Sequence, residues 1–313
     1  TVQRMARTGT PADIPVFCIG NYHVGGAGKT PATLALAKLL RELGEQPFVV
    51  SRGYGGALSG PVRVDPAGHT AADVGDEPLM MAAQVPVIVS RERVEGAALA
   101  RAQGATIALL DDGFQNPALI KDASLIVIDA ARGIGNGCVF PAGPLRAPLP
   151  PQIARTDALI VIGTGESADG IATSARTSGA SVLRARLVPD QASLDQLRGQ
   201  RVLAFAGIGD PARFFATLRS SGVDVIEERI FADHHPFTPD EIGRLASAGA
   251  AKSLMLVTTE KDMARIRSDV RLQKYADKTS AFAVTLAFDD EAKLKDFVAA
   301  RLTKARARPI RPS

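Results

Sequence analysis

Val16-Phe17-Cys18-Ile19-Gly20, then Asn21-Tyr22-His23-Val24-Gly25-Gly26-Ala27-Gly28-Lys29-Thr30, then the apolar-periodic segment from Pro31 to Leu43, is the stretch whose reading decides the fold. The first run is continuously apolar, as a strand buried on both faces should be. The last has the period of an amphipathic helix, with its proline in the tolerated first turn. Between them lies a glycine-rich turn ending in Gly28-Lys29-Thr30, which is what a P-loop requires. Glycines let backbone N–H groups curl around phosphate oxygens, and the helix N-terminus adds partial positive charge. Lys29 is then placed to reach the β- and γ-phosphates, and Thr30 offers a hydroxyl to Mg²⁺. The residues expected to hold nucleotide are Val24, Gly25, Gly26, Ala27, Gly28, Lys29 and Thr30, with ATP and Mg²⁺ as the cofactors. The strict G-x-x-x-x-G-K-[ST] pattern opens on glycine, and His23 stands in that place.

Working outward, short apolar runs alternate with helix-period segments, the pattern of βαβ units and a parallel sheet, so the fold class is α/β. Strands are expected at 16–19, 48–50, 85–89, 107–110, 125–128 and 159–162, and again at 202–205, 223–226, 254–257 and 282–286. Helices are expected at 31–43, 91–103, 211–221, 239–248 and 291–304. The Pro-rich passage Pro141 to Pro151 reads as an ordered loop or connection rather than a helix or central strand, and a Gly/Ser-rich patch follows at 163–179. The expected organisation is a P-loop NTPase-like parallel-sheet domain over 1–190 and a smaller α/β domain over 191–313 that closes over the active-site cleft.

With 313 residues the chain can bury two cores of ordinary size. No apolar run approaches the roughly 20 residues needed to span a bilayer. Cys18 and Cys138 form no disulfide framework or zinc spacing, which fits a reducing compartment. The net charge is +4, but aromatics make up only 5% and Trp is absent, so a nucleic-acid partner is not expected. Arg4, Arg7, Lys304, Arg306, Arg308 and Arg311 put positive charge at both ends, where it is a solvated tail or a contact for anionic headgroups.

Phosphoryl transfer needs a second anchor for the metal, ordinarily an Asp at the carboxyl end of a neighbouring strand. Asp111 and Asp112 close the run Ile107 to Leu110 and are the expected metal ligands together with Thr30. Asp129 closes the next strand, as a further site residue or as a solvated strand end. Asp76 and Glu77 lie in Gly75-Asp76-Glu77-Pro78, which by itself is an ordinary helix cap. Ser51-Arg52-Gly53-Tyr54-Gly55-Gly56 puts a Gly-rich loop at the carboxyl edge of the sheet, where α/β sites form. Phe140 to Arg146 ends a rigid Pro-rich turn in a guanidinium suited to a transferring phosphoryl group, or to a plain surface contact. Asp233-His234-His235 offers a His that could orient a general base, or a capped loop before Thr238. Thr258-Thr259-Glu260-Lys261-Asp262 ends a strand and opens a helix.

VGGAGKTP, SRGYGG, GDEP, DDGFQ, FPAGPLR, DHH and TTEKD occur here in the order found in the lipid A 4'-kinase family, which the chain resembles from Gly20 to Asp262. The resemblance implies transfer of the γ-phosphoryl of ATP to the 4'-hydroxyl of a tetraacylated glucosamine disaccharide 1-phosphate, giving lipid IVA. It implies catalytic roles for Asp76 as general base, His234 as its tuning partner across the interdomain cleft, Arg146 on the transferring charge and Lys29 on the phosphates. It also implies a monomer at the cytoplasmic face of a Gram-negative inner membrane, on an anionic surface. Attachment would be peripheral or through an N-terminal segment preceding Thr1. Asn116, Ala147 and Ala27 depart from the family's usual His, Glu and Thr. A nucleotide-driven switch or delivery ATPase is the alternative, but the signature Lys of that group is Val24 here.

Overall fold

The computed structural model describes residues 7–26 and 28–308; Ala27, Arg4 and Arg311 lie outside the described residues. Its larger sheet is built from β1 (Val16–Gly20), β2 (Pro47–Ser51), β3 (Val62–Arg63), β4 (Val87–Val89), β5 (Ile107–Asp111), β6 (Ala123–Asp129), β7 (Ala158–Ile162) and β8 (Ser181–Pro189). A second sheet comprises β9 (Arg201–Ala206), β10 (Asp224–Ile230), β11 (Met255–Thr259) and β12 (Thr279–Phe282), and β13 (Val284–Phe288) follows. The orders are β13-β8-β7-β6-β1-β5-β2-β4-β3 and β10-β9-β11-β12.

The phosphate-loop strand β1 lies between β5 and β6, parallel to both, with Ile19 opposite Asp111. Parallel register brings the carboxyl ends of β1, β2, β5 and β6 to one edge, so Gly20, Ser51, Asp111 and Asp129 share it. Every residue of β1, β2, β5, β6 and β7 is buried, because helices cover both faces. One face packs Phe17, Ile19, Leu109 and Val127 under the helix Lys29–Glu42, which contributes Leu36 and Leu40. The other packs Cys18, Leu110, Ile126 and Val161 against Tyr22, Phe114 and Ile171. The smaller sheet has two layers of its own, around Phe214 and Phe215 on one side and Phe237, Ile242 and Leu245 on the other.

Three local expectations differ from the structure. Leu149–Ile153 is a short helix inside the Pro-rich passage, and its prolines sit in the first turn, where no intrahelical N–H is lost. Part of the Gly/Ser-rich patch is the helix Asp169–Thr177, whose buried stripe of Ile171, Ala172 and Ala175 supplies the packing its composition does not advertise. The run 282–286 is two strands. Phe282 ends β12 in the smaller sheet, whereas Val284 opens β13, antiparallel to β8 in the larger.

We propose a correspondingly different division, with the smaller unit running from 191 to 283 and the segment after Ala283 belonging to the larger one. The helix Glu291–Arg306 buries Leu294, Val298 and Leu302 in the larger sheet's core, each worth about 2 kcal/mol. Arg306 grips both Glu45 oxygens at 2.7 Å, and Lys293 donates to the Val182 carbonyl at 3.0 Å.

Candidate active site

The loop after β1 turns into its helix through Gly28, at φ 86, a left-handed conformation that disfavours any side chain. A Cβ there would also come within 2.8 Å of Ile162 Cδ1. The helix Lys29–Glu42 has no side-chain cap and no acidic residue in its first turn, so its amide end is free for an anion. Gly25 and Gly26 face open space. Asn21 Nδ2 donates to the Gly25 carbonyl at 3.1 Å and fixes the loop from below.

His23, in the place of the first glycine, is a packed residue. Its backbone bridges Leu145, its carbonyl accepts from Arg146 Nε at 3.1 Å, and Val24 N donates to the Pro144 carbonyl at 2.8 Å. Burial first, and then the charges of Lys29, Arg146 and Arg132, pull its imidazole below the usual range. The Phe140 to Arg146 turn is thus a wall of the phosphate loop.

Asp112, at φ 52, accepts both guanidinium arms of Arg146, at 3.0 and 2.9 Å, and lies 3.8 Å from Lys29 Nζ. Arg146 is therefore committed to Asp112 and His23, with few N–H groups left over. Asp111 is buried; its Oδ2 accepts from Ser51 Oγ at 3.1 Å, and its Oδ1 has no partner among the described residues. Burial, then the neighbouring charges of Glu77 and Asp112, push the Asp111 carboxyl up to about 7 against the pull of Lys29. A buried carboxyl with a free oxygen beside other acids suits a hard cation. No three His, Cys, Asp or Glu side chains among the described residues form a metal cage, so a cation here would draw on Thr30, phosphate oxygens and water as well.

A second cluster lies where the two sheet units meet. Gly75, at φ 90, opens the helix Asp76–Ala82. Asp76 Oδ1 accepts from the Glu77 amide at 2.8 Å. Its Oδ2 accepts from His234 Nδ1 at 3.0 Å and from Arg265 Nε and Nη2 at 2.8 and 2.5 Å. Lys261 Nζ sits 3.3 Å from His234 Nε2, 3.4 Å from Glu77 and 3.9 Å from Asp76. Since an ammonium can only donate, Nε2 is the acceptor and Nδ1 carries the proton that points at Asp76. Burial pushes the Asp76 carboxyl up, but Lys261, Arg265 and His234 together hold it below the usual range.

The adjoining His235 does something different, sharing Glu241 at 3.1 Å and stacking on Phe231. Tyr54 of the Gly-rich loop meets His234 edge-on, with ring centroids 5.7 Å apart. Asp129 is buried rather than solvated, and it forms no ion pair with Lys29 among the described residues. It accepts from the amides of Ala131 and Arg132 and pairs with Arg213 of the smaller unit at 2.6 Å. Arg265 and Arg213 carried no expectation from sequence. For Arg265 a signal existed, because it follows Lys261 by one helical turn and so shares its face.

The family model described as Tetraacyldisaccharide-1-P 4'-kinase matches residues 1–303. The chain belongs to this family. It is similar to the tetraacyldisaccharide 4'-kinase of Rhodopseudomonas palustris strain CGA009, 66% identical over 97% of this chain and 89% of that protein. The protein of the same name from Nitrobacter hamburgensis is 63% identical over 97% of this chain and 91% of the relative. Among solved structures, the Aquifex aeolicus LpxK in complex with ATP superposes with a TM-score of 0.73 at 27% identity, covering 96% of this chain and 92% of that one. Kinase-family membership thus joins an α/β P-loop architecture to the two clusters described above.

Proposed function

We propose that the chain catalyses transfer of the γ-phosphoryl group of ATP to the 4'-hydroxyl of a tetraacylated glucosamine disaccharide 1-phosphate, forming lipid IVA and ADP. The observation that carries this reading is a buried carboxylate, Asp76, held by His234 from the facing unit, in a fold whose phosphate loop offers Lys29 and a free helix amide end. The loop amides and Lys29 bind the triphosphate. Thr30 and Asp111 would hold Mg²⁺, with Asp112 beside them, and the cation would offset charge on the phosphate oxygens. Arg146 keeps Asp112 and the His23 carbonyl in place rather than reaching far into the site. Asp76 takes the proton of the sugar hydroxyl as its oxygen bonds to the γ-phosphorus and the bridging bond to ADP breaks. His234 donates to Asp76 and keeps the carboxylate aligned. Such catalysis rests on positioning and electrostatics, with a base contribution of roughly 10² to 10⁴ in rate.

No helix among the described residues is long and apolar enough to cross a membrane. Family membership supports action on lipid at an anionic inner-membrane surface; among the terminal basic residues, Arg306 and Arg308 are already paired with Glu45 and Asp122. Incubation with labelled ATP and the detergent-dispersed disaccharide 1-phosphate should label the lipid. Asp76→Ala should lose turnover by roughly 10² to 10⁴ with nucleotide binding kept. Absence of label in the lipid would refute the reading.

A further inference from the structure

The two oxygens of Asp76 are unequal. Among the described residues, Oδ2 receives three donors, Arg265 Nε, Arg265 Nη2 and His234 Nδ1, whereas Oδ1 receives the Glu77 amide alone. A carboxylate oxygen has two lone pairs, so Oδ2 is saturated and Oδ1 keeps acceptor capacity. We propose that Arg265 is a positioning residue for phosphoryl transfer: seated across the domain junction, it clamps Oδ2 and leaves Oδ1 as the atom that takes the acceptor's proton. This rests on Asp76 being the base.

Arg265 is itself held as such a role demands. Its Nη1 donates to Asp262 Oδ1 at 2.5 Å and to the Gly207 carbonyl at 3.0 Å, so one guanidinium spans both sides of the junction. Asp262 is locked in turn, with its Oδ2 accepting from the Gly207 amide at 3.0 Å and Thr259 Oγ1 at 2.8 Å. The Arg265 and Asp262 side chains are 7% and 0% exposed, so the fork has no water to replace these partners. A planar guanidinium can address Asp76, Asp262 and Gly207 together, which a lysine ammonium cannot. Because Arg265 and His234 lie in the smaller unit and Asp76 in the larger, the clamp exists only while the two are docked. Seating of the smaller unit thereby becomes the step that orients the base.

The charged groups around Asp76 are Glu77 beside it, Lys261, Asp262 and Arg265 on the helix Glu260–Ser268, and Asp233 and His234 on the loop before Phe237. Of the cations, only Arg265 makes two hydrogen bonds to Asp76. Without it, burial is opposed by fewer charges, and the carboxyl should titrate at higher pH.

The test uses the full chain, with kcat and KM measured from pH 5 to 9 on the detergent-dispersed disaccharide 1-phosphate and MgATP, for Arg265→Met, Arg265→Lys and Asp76→Asn. Arg265→Met should lower kcat by roughly 10²-fold, as misorientation of a reacting group does. It should leave the KM for ATP within about threefold and move the acid limb of the profile to higher pH. Arg265→Lys keeps a cation without the fork; it should return the acid limb toward the parent's while recovering only part of the rate, and it serves if the Met variant does not fold. An acid limb that stays put in both variants, with the loss confined to KM or thermal stability, makes Arg265 a mere staple between units and overturns the proposal. Full turnover by Asp76→Asn would instead overturn the assignment of the base, a failure separable from that of Arg265.

Discussion

Asp111→Asn gives the sharpest physical test of the metal side of the site, because the native carboxyl is costly when no cation is bound. The fold pushes this group from 3.8 to about 7, through burial and the charges of Glu77 and Asp112. An acid whose folded value is raised binds more protons in the native state than in the unfolded one, so stability falls as pH rises between the two values and stays low above the upper one. At about 1.4 kcal/mol for each unit, the ceiling on that loss is about 4 kcal/mol. Asn has nearly the same shape, can still accept from Ser51 Oγ, and does not ionise. In metal-free protein the difference in unfolding free energy, variant minus parent, should therefore be near zero at pH 4 and grow to about 2–4 kcal/mol by pH 8. Urea unfolding followed by circular dichroism at several pH values measures it, and subtraction removes the groups the two proteins share. Adding Mg²⁺ with ATP should stabilise the parent more than the variant. A difference that is flat with pH would refute the reasoning, since Asp111 would then be solvated or paired in a way its free Oδ1 does not indicate.

Other expectations follow from the same geometry. Gly28→Ala forces a side chain into φ 86 and against Ile162, and should weaken binding of a fluorescent ATP analogue about tenfold or more, with the unfolding free energy in urea lowered by about 1–2 kcal/mol; unchanged affinity would count against the loop reading. Asp262→Ala removes the acceptor of Gly207 N, Thr259 Oγ1 and Arg265 Nη1 from a fully buried place, and should destabilise the smaller unit by about 3 kcal/mol in urea. Arg213→Ala breaks a half-buried pair with Asp129 and should cost only about 1 kcal/mol while speeding amide exchange along β6 and the helix Pro211–Ser220; exchange equal to the parent's would show that this pair does not join the units.

The central strands and helices of the larger sheet were legible because each states itself locally, whereas β8 and the two-residue β3 carried no expectation, β8 because its side chains alternate between buried and exposed, with Arg184 and Arg186 outward. β1, β5, β6 and β7 are continuous apolar runs, and Gly25 to Thr30 is a turn between a strand and a helix whatever surrounds it. Asp111 and Asp112 could be picked out for the same reason, since a carboxylate closing an apolar strand lies at the edge where the loops gather. The fate of Phe282 to Leu286 was not legible. Both halves are apolar and β-prone, and only the pairing partners, β11 for one and β8 for the other, break the run at Ala283. The helix Asp169–Thr177 was hidden likewise, because its stability comes from a narrow buried stripe rather than from propensity.

By itself the sequence determined that this is an α/β protein with a phosphate loop, and which short motifs carry chemistry, because turn conformation and apolar periodicity depend on neighbours in the chain. Tertiary structure alone decided what those motifs touch: that Arg146 serves Asp112, that His235 turns to Glu241, and that Arg265 closes the carboxylate which the family resemblance already pairs with His234. Asp76 and Arg265 are separated by 189 residues. Ion pairs form between side chains that folding brings within about 3 Å in a dry interior, and no local pattern encodes which distant charge will arrive there.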